Sequence, residues 1–307
     1  MTVAETRDAL TGNAVAVPTT IWKQAGELDL DANAKNAEFL FAKGITAAVY
    51  AGGVGEHDRL SVEQQRDLLT STVSAVREQG GHQCIGTGLG RTVARVKQLA
   101  PILADLNIEF AMLMPPDTDD QDEQYAYFSE VMAILAEHSV GPMLYPRPEH
   151  PMTPQTLERL LDLFEVPGVK LANNEMLLAY AEMVRRLGHK RTAWLCGTAG
   201  WWMPSYAAVG AARGFSTGIG NAFPDKPLRL LQDLANGVFE PNDTYWTMVR
   251  IEQIRQRDKS YIALVIKQLQ ELVGLSGGMN GDGSQLPDNV KTELEVLVRD
   301  AGWMSSR

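Results

Sequence analysis

The feature that most constrains the fold of this chain is an alternation of short apolar runs with longer amphipathic stretches, repeated eight times in the first 225 residues. The runs have the length of buried strands, and the stretches carry apolar residues at the spacing of a helix face. This alternation favours a (β/α)8 TIM barrel over an open, doubly wound parallel sheet, which stays as the alternative. The predicted strands are 14–18, 46–51, 83–86, 110–114, 142–145, 169–172, 193–197 and 214–219.

Helices are predicted between these strands and again after them. The predicted helices within the barrel region are 31–43, 61–78, 92–103, 123–138, 153–164 and 175–187. Beyond residue 225 no strand-like run recurs, and four more helical patterns follow at 226–239, 242–258, 261–275 and 290–301. We therefore expect a barrel over residues 1–225, with its active site at the C-terminal ends of the strands, and a C-terminal helical region over residues 226–307.

Composition excludes several classes of protein. The net charge is −10 and no cluster of lysine and arginine is visible, which argues against a nucleic-acid partner. The two cysteines, Cys84 and Cys196, lie in apolar runs, so free buried thiols in a reducing cytoplasm are expected rather than a disulfide scaffold. No stretch approaches the ~18 apolar residues of a membrane span, and the first 13 residues lack the apolar core of an export signal.

Lys170 stands alone in an apolar run that is predicted to be a buried strand. A buried ammonium is costly unless it is paired with an opposite charge or gives up its proton. A neutral amine is a nucleophile, and a lysine of this kind at a strand end is suited to form a Schiff base with a carbonyl substrate. The alternative is a lysine whose stem packs while its head reaches water.

Tyr145 ends the strand that precedes the strand of Lys170. In a barrel the two side chains would lie at the same rim, and a phenol there can supply the proton transfers that imine formation requires. The alternative is an amphipathic residue that merely ends a strand. Together, the phenol and the amine favour a catalytic pair.

Two glycine-rich turns follow predicted strands. In the first, residues 51–56, successive backbone N–H groups around Gly52, Gly53 and Val54 are able to hold an anion such as a carboxylate, although a tight turn alone also explains the glycines. The second, residues 86–91, lacks the dinucleotide and P-loop signatures, so no nucleotide cofactor is expected. No metal is expected either, because the histidines show no ligand spacing. They are His57, His82, His138, His150 and His189.

The order of these motifs resembles the dihydrodipicolinate synthase/N-acetylneuraminate lyase family over nearly the whole chain. The matching segments are 52–56, Pro115-Pro116, Tyr145 with a proline soon after, 168–170, and 214–217 with Asn221 and Pro224. The resemblance implies a barrel with a C-terminal helical region and an imine between Lys170 and a 2-oxo acid. It further implies proton transfer by Tyr145, a carboxylate held at the backbone of Gly53 and Val54, no cofactor, and a homotetramer of paired dimers or a homodimer.

Three departures from the synthase pattern bear on the substrate. Gly53 and Val54 replace two threonines that grip the carboxylate, Asp117 stands where the synthase has a relay tyrosine, and His150 stands where it has a substrate-binding arginine. Lysine biosynthesis and sialic-acid cleavage are therefore disfavoured.

The glycine turn, together with Tyr145, Pro146 and Arg147, is more similar to the family branch that dehydrates 5-dehydro-4-deoxyglucarate. That substrate is a sugar diacid, and Arg147 would offer a bidentate contact to its distal carboxylate or else point into a subunit contact. Against this branch, the residue after Lys170 is not acidic.

The sequence thus predicts a lyase that acts on a 2-oxo acid through a lysine imine, as aldolase or dehydratase. Dihydrodipicolinate synthase-like or other pyruvate aldolase chemistry, and a non-catalytic ligand-binding protein on the same scaffold, are the alternatives. Asparagine and serine side chains near the strand ends are candidate substrate contacts, with helix capping as their other role. Ser216 and Asn221 are favoured over Asn173 and Asn174.

Overall fold

Every run predicted as a strand overlaps a strand in the computed structural model, which describes residues 1–80, 83–189 and 191–304. The strands are β1 (Ala14–Ala16), β2 (Trp22–Gln24), β3 (Glu27–Leu28), β4 (Ala47–Tyr50), β5 (Cys84–Gly88), β6 (Phe110–Leu113), β7 (Gly141–Leu144), β8 (Gly168–Leu171), β9 (Ala193–Cys196) and β10 (Gly214–Thr217). All but β2 and β3 form a closed barrel in the order β1-β10-β9-β8-β7-β6-β5-β4. The (β/α)8 barrel is therefore confirmed, and the open sheet is excluded.

Helices flank the barrel strands and follow them. They are α1 (Val3–Leu10), α2 (Leu30–Ala42), α3 (Val62–Glu78), α4 (Val93–Asp105), α5 (Gln121–Glu137), α6 (Pro154–Leu163), α7 (Leu177–Leu187), α8 (Met203–Ala208), α9 (Asp225–Ala235), α10 (Asp243–Arg255), α11 (Tyr261–Leu272) and α12 (Asp288–Asp300). Of these, α1 and α8 were not predicted, and neither was the β2–β3 hairpin. Both helices are short, so few apolar residues repeat within them.

The described chain divides into two compact units. The first comprises Met1–Val15, Thr46–Val49 and Cys84–Ser216. It carries the eight barrel strands, apart from the last residue of each of the three strands β1, β4 and β10. The second comprises Ala16–Ile45, Tyr50–Gln83 and Thr217–Arg307. The boundary at residue 225 stays a prediction. None of the helices described is long and apolar enough to cross a membrane, and His82 lies outside the described residues.

The interior of the first unit is a cluster of apolar side chains from the barrel strands and α1. Gly86 of β5 is opposite Phe110 of β6, and a β-carbon at Gly86 would lie 2.3 Å from the Phe110 ring. At the N-terminal end, Leu10 of α1 packs into the same cluster and approaches Gly168 and Met143. The barrel interior is thus filled by side chains below the level of the catalytic candidates.

Candidate active site

Lys170 projects into the barrel from β8. Side chains alternate across a strand, so Lys170 lies on the same face of β8 as Gly168. A β-carbon at Gly168 would meet Met143 and Leu10 in the interior. Lys170 is paired with Leu195 of β9 and is only 6% exposed. Lys170 therefore lies in the barrel lumen near the C-terminal end of its strand, as a catalytic lysine requires.

Tyr145, one residue beyond β7, supplies the surface on which the lysine head rests. The Lys170 Nζ lies 4.1 Å from the centroid of the half-buried Tyr145 ring. Among the described residues no carboxylate lies within ion-pair distance of this Nζ. A cation over an aromatic face is stabilised by about 0.5–2 kcal/mol, less than the several kcal/mol that burial of an ion costs. The predicted pair is thus in contact, and its amine has an aromatic neighbour instead of a counter-ion.

Arg147 is already bound to a carboxylate of the chain itself. Its guanidinium lies 5.6 Å from the Tyr145 ring centroid and donates to both carboxylate oxygens of Glu149, at 3.0 and 2.6 Å. Although burial acts to raise the pKa of Glu149, hydrogen bonds from its own backbone and from Arg147 hold it below its usual value. A substrate carboxylate at Arg147 would have to displace or share this contact.

His150 joins two of the aspartates in the acidic loop after β6. Its Nε2 lies 2.8 Å from Asp117 Oδ1, and its Nδ1 lies 3.1 Å from Asp119 Oδ1. Two of the positions at which the sequence departs from the synthase pattern, 117 and 150, therefore contact each other. Their side chains bind one another where the synthase pattern has a tyrosine and an arginine.

A polar cluster that the sequence did not predict as a unit surrounds Asn174, beyond the ends of β8 and β9. The Asn174 Oδ1 accepts hydrogen bonds from Thr198 Oγ1 at 3.3 Å and from Tyr206 OH at 3.1 Å. The Cys196 Sγ lies 3.4 Å from Thr198 Oγ1, and burial raises the pKa of this thiol to about 11. Thr198 and Tyr206 were missed, and the one sequence signal was a hydroxyl residue directly after Gly197 at a predicted strand end.

The other predicted substrate contacts, Asn221, Asn173 and Ser216, differ in how many of their side-chain donors and acceptors are already used within the chain. Asn221 donates through Nδ2 to Val17 O and Gly218 O, at 2.8 and 2.7 Å, so both its amide hydrogens are used within the backbone. Asn173 accepts from Glu175 N and caps the short helix that follows. Ser216 lies in β10, 6% exposed, and its hydroxyl bonds to none of the described residues.

The glycine turn lies in the second unit, directly after β4. Ala51 begins it with a positive φ of 47°, and a β-carbon at Gly55 would lie 2.9 Å from Ala51 N and from Pro18 O. The backbone N–H groups of Gly53 and Val54 donate to no described residue, whereas the carbonyls of Gly52 and Gly53 accept from the following turn. The turn therefore presents two unused N–H groups, as an anion site needs.

A fully buried ion pair ends the same turn. Lys267 of α11 donates through Nζ to Glu56 Oε1 and to Met279 O, both at 2.6 Å. The carboxylate also accepts from Trp22 Nε1 at 3.1 Å and from Gly281 N at 2.9 Å. Burial lowers the pKa of Lys267, while Glu56 acts to raise it. This second buried lysine was not predicted, and its pairing fixes the end of the glycine turn.

The chain also matches a known protein family. No group of three or more His, Cys, Asp or Glu side chains that could hold a metal occurs in the part of the chain described. The fold and these side chains define a (β/α)8 barrel protein with a buried lysine near the C-terminal ends of its strands. The family model of the dihydrodipicolinate synthetase family matches residues 10–281, so the chain belongs to that family.

Individual relatives agree with this assignment. A "probable 5-dehydro-4-deoxyglucarate dehydratase" of Bacillus licheniformis is 26% identical over 267 residues, 84% of this chain and 83% of that protein. The 5-dehydro-4-deoxyglucarate dehydratase of Pseudomonas putida is 24% identical over 98% of this chain and 99% of its own. The crystal structure of dihydrodipicolinate synthase from Bacillus clausii matches with a TM-score of 0.84 and 25% identity, covering 96% of this chain and 98% of that one. The chain is accordingly a lyase, and the predicted family is confirmed.

Proposed function

We propose that this lyase acts on a 2-oxo acid through an imine at Lys170, with 5-dehydro-4-deoxyglucarate as its preferred substrate. The observation that carries the proposal is the Lys170 amine, buried in the barrel lumen, in contact with the Tyr145 ring and without a carboxylate partner among the described residues. Such an amine has no ion pair with a described residue that attack on a carbonyl would have to break.

The proposed reaction begins with attack of the neutral Lys170 nitrogen on the C2 carbonyl of the substrate. The carbonyl oxygen is protonated, with Tyr145 relaying the proton, and leaves as water while the C=N bond forms. The resulting iminium withdraws electrons from the neighbouring carbon. From there either a carbon–carbon bond breaks, as in an aldolase, or a proton and a hydroxyl leave together as water, as in a dehydratase.

The choice of substrate rests on the relatives and on Arg147. Relatives named 5-dehydro-4-deoxyglucarate dehydratase match most of this chain. Arg147, beside Tyr145, is the cation we assign to the distal carboxylate, with Glu149 released on binding. Following the resemblance, we assign the carboxylate next to the ketone to the Gly52–Val54 backbone and keep Ser216 as a substrate contact.

A second candidate is an aldolase for 2-oxo-3-deoxy acids whose distal end is uncharged. It is favoured by the contacts of Arg147 with Glu149 and of His150 with Asp117, because each of these two side chains already binds a carboxylate of the chain itself. Turnover of the diacid compared with that of an uncharged-ended acid of equal chain length separates the two candidates.

The imine is tested by reduction with borohydride in the presence of pyruvate. We expect one stable adduct per chain, located on Lys170 by peptide mass spectrometry, because reduction converts a C=N bond into an amine that survives digestion. Omitting either pyruvate or borohydride provides the control. An unmodified Lys170, or an adduct on a different lysine, would contradict the proposed function.

Tyr145→Phe is expected to lower kcat by about 10²- to 10⁴-fold, since it removes the proton relay. The phenyl ring stays beneath Lys170, so the borohydride adduct with pyruvate still forms, only more slowly. Steady-state turnover and the rate of adduct formation measure the two effects. Tyr245→Phe, on α10, is the matched control, and unchanged turnover in Tyr145→Phe would assign proton transfer to another group.

The proposal includes an assembly and a location. Following the resemblance, we propose a homotetramer of paired dimers, or a homodimer, in the cytoplasm. Sedimentation velocity on the purified protein measures the assembly directly.

A further inference from the structure

The side-chain amide of Asn174 has a fixed orientation. Burial raises the pKa of Tyr206, so its hydroxyl keeps its proton and needs an acceptor. The Asn174 Oδ1 provides that acceptor at 3.1 Å and accepts from Thr198 Oγ1 as well. With two donors on Oδ1, the Nδ2 group must point away from both of them.

The Asn174 Nδ2 has two hydrogens to donate, and no residue in the described ranges accepts from it. Asn174 is half-buried, in contrast to Asn221, whose Nδ2 is used by two carbonyls. A half-buried donor of this kind is suited to bind an oxygen atom from outside the chain.

The cluster adjoins Lys170. A β-carbon at Gly197 would lie 2.9 Å from the Lys170 Cγ, so the backbone that leads into Thr198 packs against the lysine stem. Cys196, which contacts Thr198, is close enough for the Lys170 charge to lower its thiol pKa, against the larger effect of burial. Thr198 thus connects the Asn174 amide to the surroundings of the catalytic amine.

We propose that Asn174 donates through Nδ2 to a hydroxyl oxygen of the substrate carbon chain, and that Thr198 and Tyr206 position it. An uncharged amide donor matches a hydroxyl better than a carboxylate, which is best bound by charged or multiple donors. This inference rests on the proposed function, because it concerns the substrate bonded to Lys170. It makes Asn174 a determinant of selectivity for hydroxylated 2-oxo acids over pyruvate.

The test compares the concentrations of pyruvate and of a 2-oxo-3-deoxy sugar acid that give half-maximal borohydride trapping on Lys170. Asn174→Ala is expected to raise this concentration about 5- to 20-fold for the sugar acid, the loss of one hydrogen bond, and to leave it unchanged for pyruvate. Asn173→Ala is the matched control and should affect both acids equally. Thr198→Val should reproduce part of the selective effect. Thr198→Ser, which keeps the hydroxyl, should behave like the wild type with both acids.

The outcomes separate this inference from the function on which it rests. If wild-type protein gives no adduct on Lys170 with pyruvate, the proposed function fails. If it gives the adduct but Asn174→Ala shifts both acids alike, or neither, then Asn174 does not bind the substrate hydroxyl. Because trapping reports only on folded chains, Thr198→Val provides the same comparison should Asn174→Ala fold poorly.

Discussion

Lys170→Met is expected to abolish the borohydride adduct and to lower turnover by a factor on the order of 10⁴ or more, since no other group replaces a covalent nucleophile. The same substitution should leave the free energy of unfolding unchanged or raise it slightly. It removes a buried amine without a carboxylate partner, and the lost contact with the Tyr145 ring is worth only about 0.5–2 kcal/mol. Trapping, steady-state kinetics and thermal unfolding measure the three effects.

The control for this substitution is Lys43→Met. Lys43 also lies near an aromatic ring, 5.9 Å from the Phe39 centroid, but it is exposed. Turnover in Lys43→Met should equal that of the wild type. An adduct that persists in Lys170→Met would move the chemistry to another amine, and Lys267 would be the first to examine.

Lys267→Met is expected to destabilise the protein by about 3–5 kcal/mol, because the buried Glu56 carboxylate would keep only the longer contact with the exposed Arg59, at 3.7 Å, in place of the Lys267 ion pair. Lys267 has a counter-ion and Lys170 has none among the described residues, so the free energy of unfolding should fall in Lys267→Met but not in Lys170→Met. Denaturant unfolding of both variants under one set of conditions measures the difference. An equal response of the two proteins would mean that the Glu56 pair contributes nothing.

A second substitution isolates the cause. Adding Glu56→Gln to Lys267→Met removes the buried charge, and the amide oxygen keeps one of the two hydrogen bonds that the carboxylate accepts from Trp22 and Gly281, so part of the lost stability should return. The exposed pair of Lys97 and Glu130 is the matched control, since breaking it should cost less than about 1 kcal/mol.

Much of the fold could be predicted because buried barrel strands are short and almost wholly apolar. Each predicted strand overlaps its barrel strand, as 169–172 does with Gly168–Leu171. Two helix starts are predicted to within one residue, since the first residues of the predicted helices 61–78 and 153–164 are Ser61 and Thr153, which cap α3 and α6. The hairpin of β2 and β3 escaped prediction because only its first residue, Trp22, is buried.

The candidate site was predictable where a residue conflicts with its local pattern. Lys170 interrupts an apolar run, which makes it conspicuous. Lys267 lies among helical residues where a polar side chain is ordinary, and only the folded chain reveals that it is fully buried against Glu56. Arg147 was predicted to bind substrate, yet its contact with Glu149 depends on loop geometry that no pattern encodes.

The contrast between the two buried lysines has a consequence for chemical selectivity. The Lys267 nitrogen donates hydrogen bonds to Glu56 and Met279, so attack on a carbonyl would have to break them. Lys170 has an aromatic face beside it and no such acceptor within the described residues. A reactive carbonyl compound should therefore label Lys170 and leave Lys267 unmodified. The groups around each buried amine, rather than its burial, then decide its reactivity.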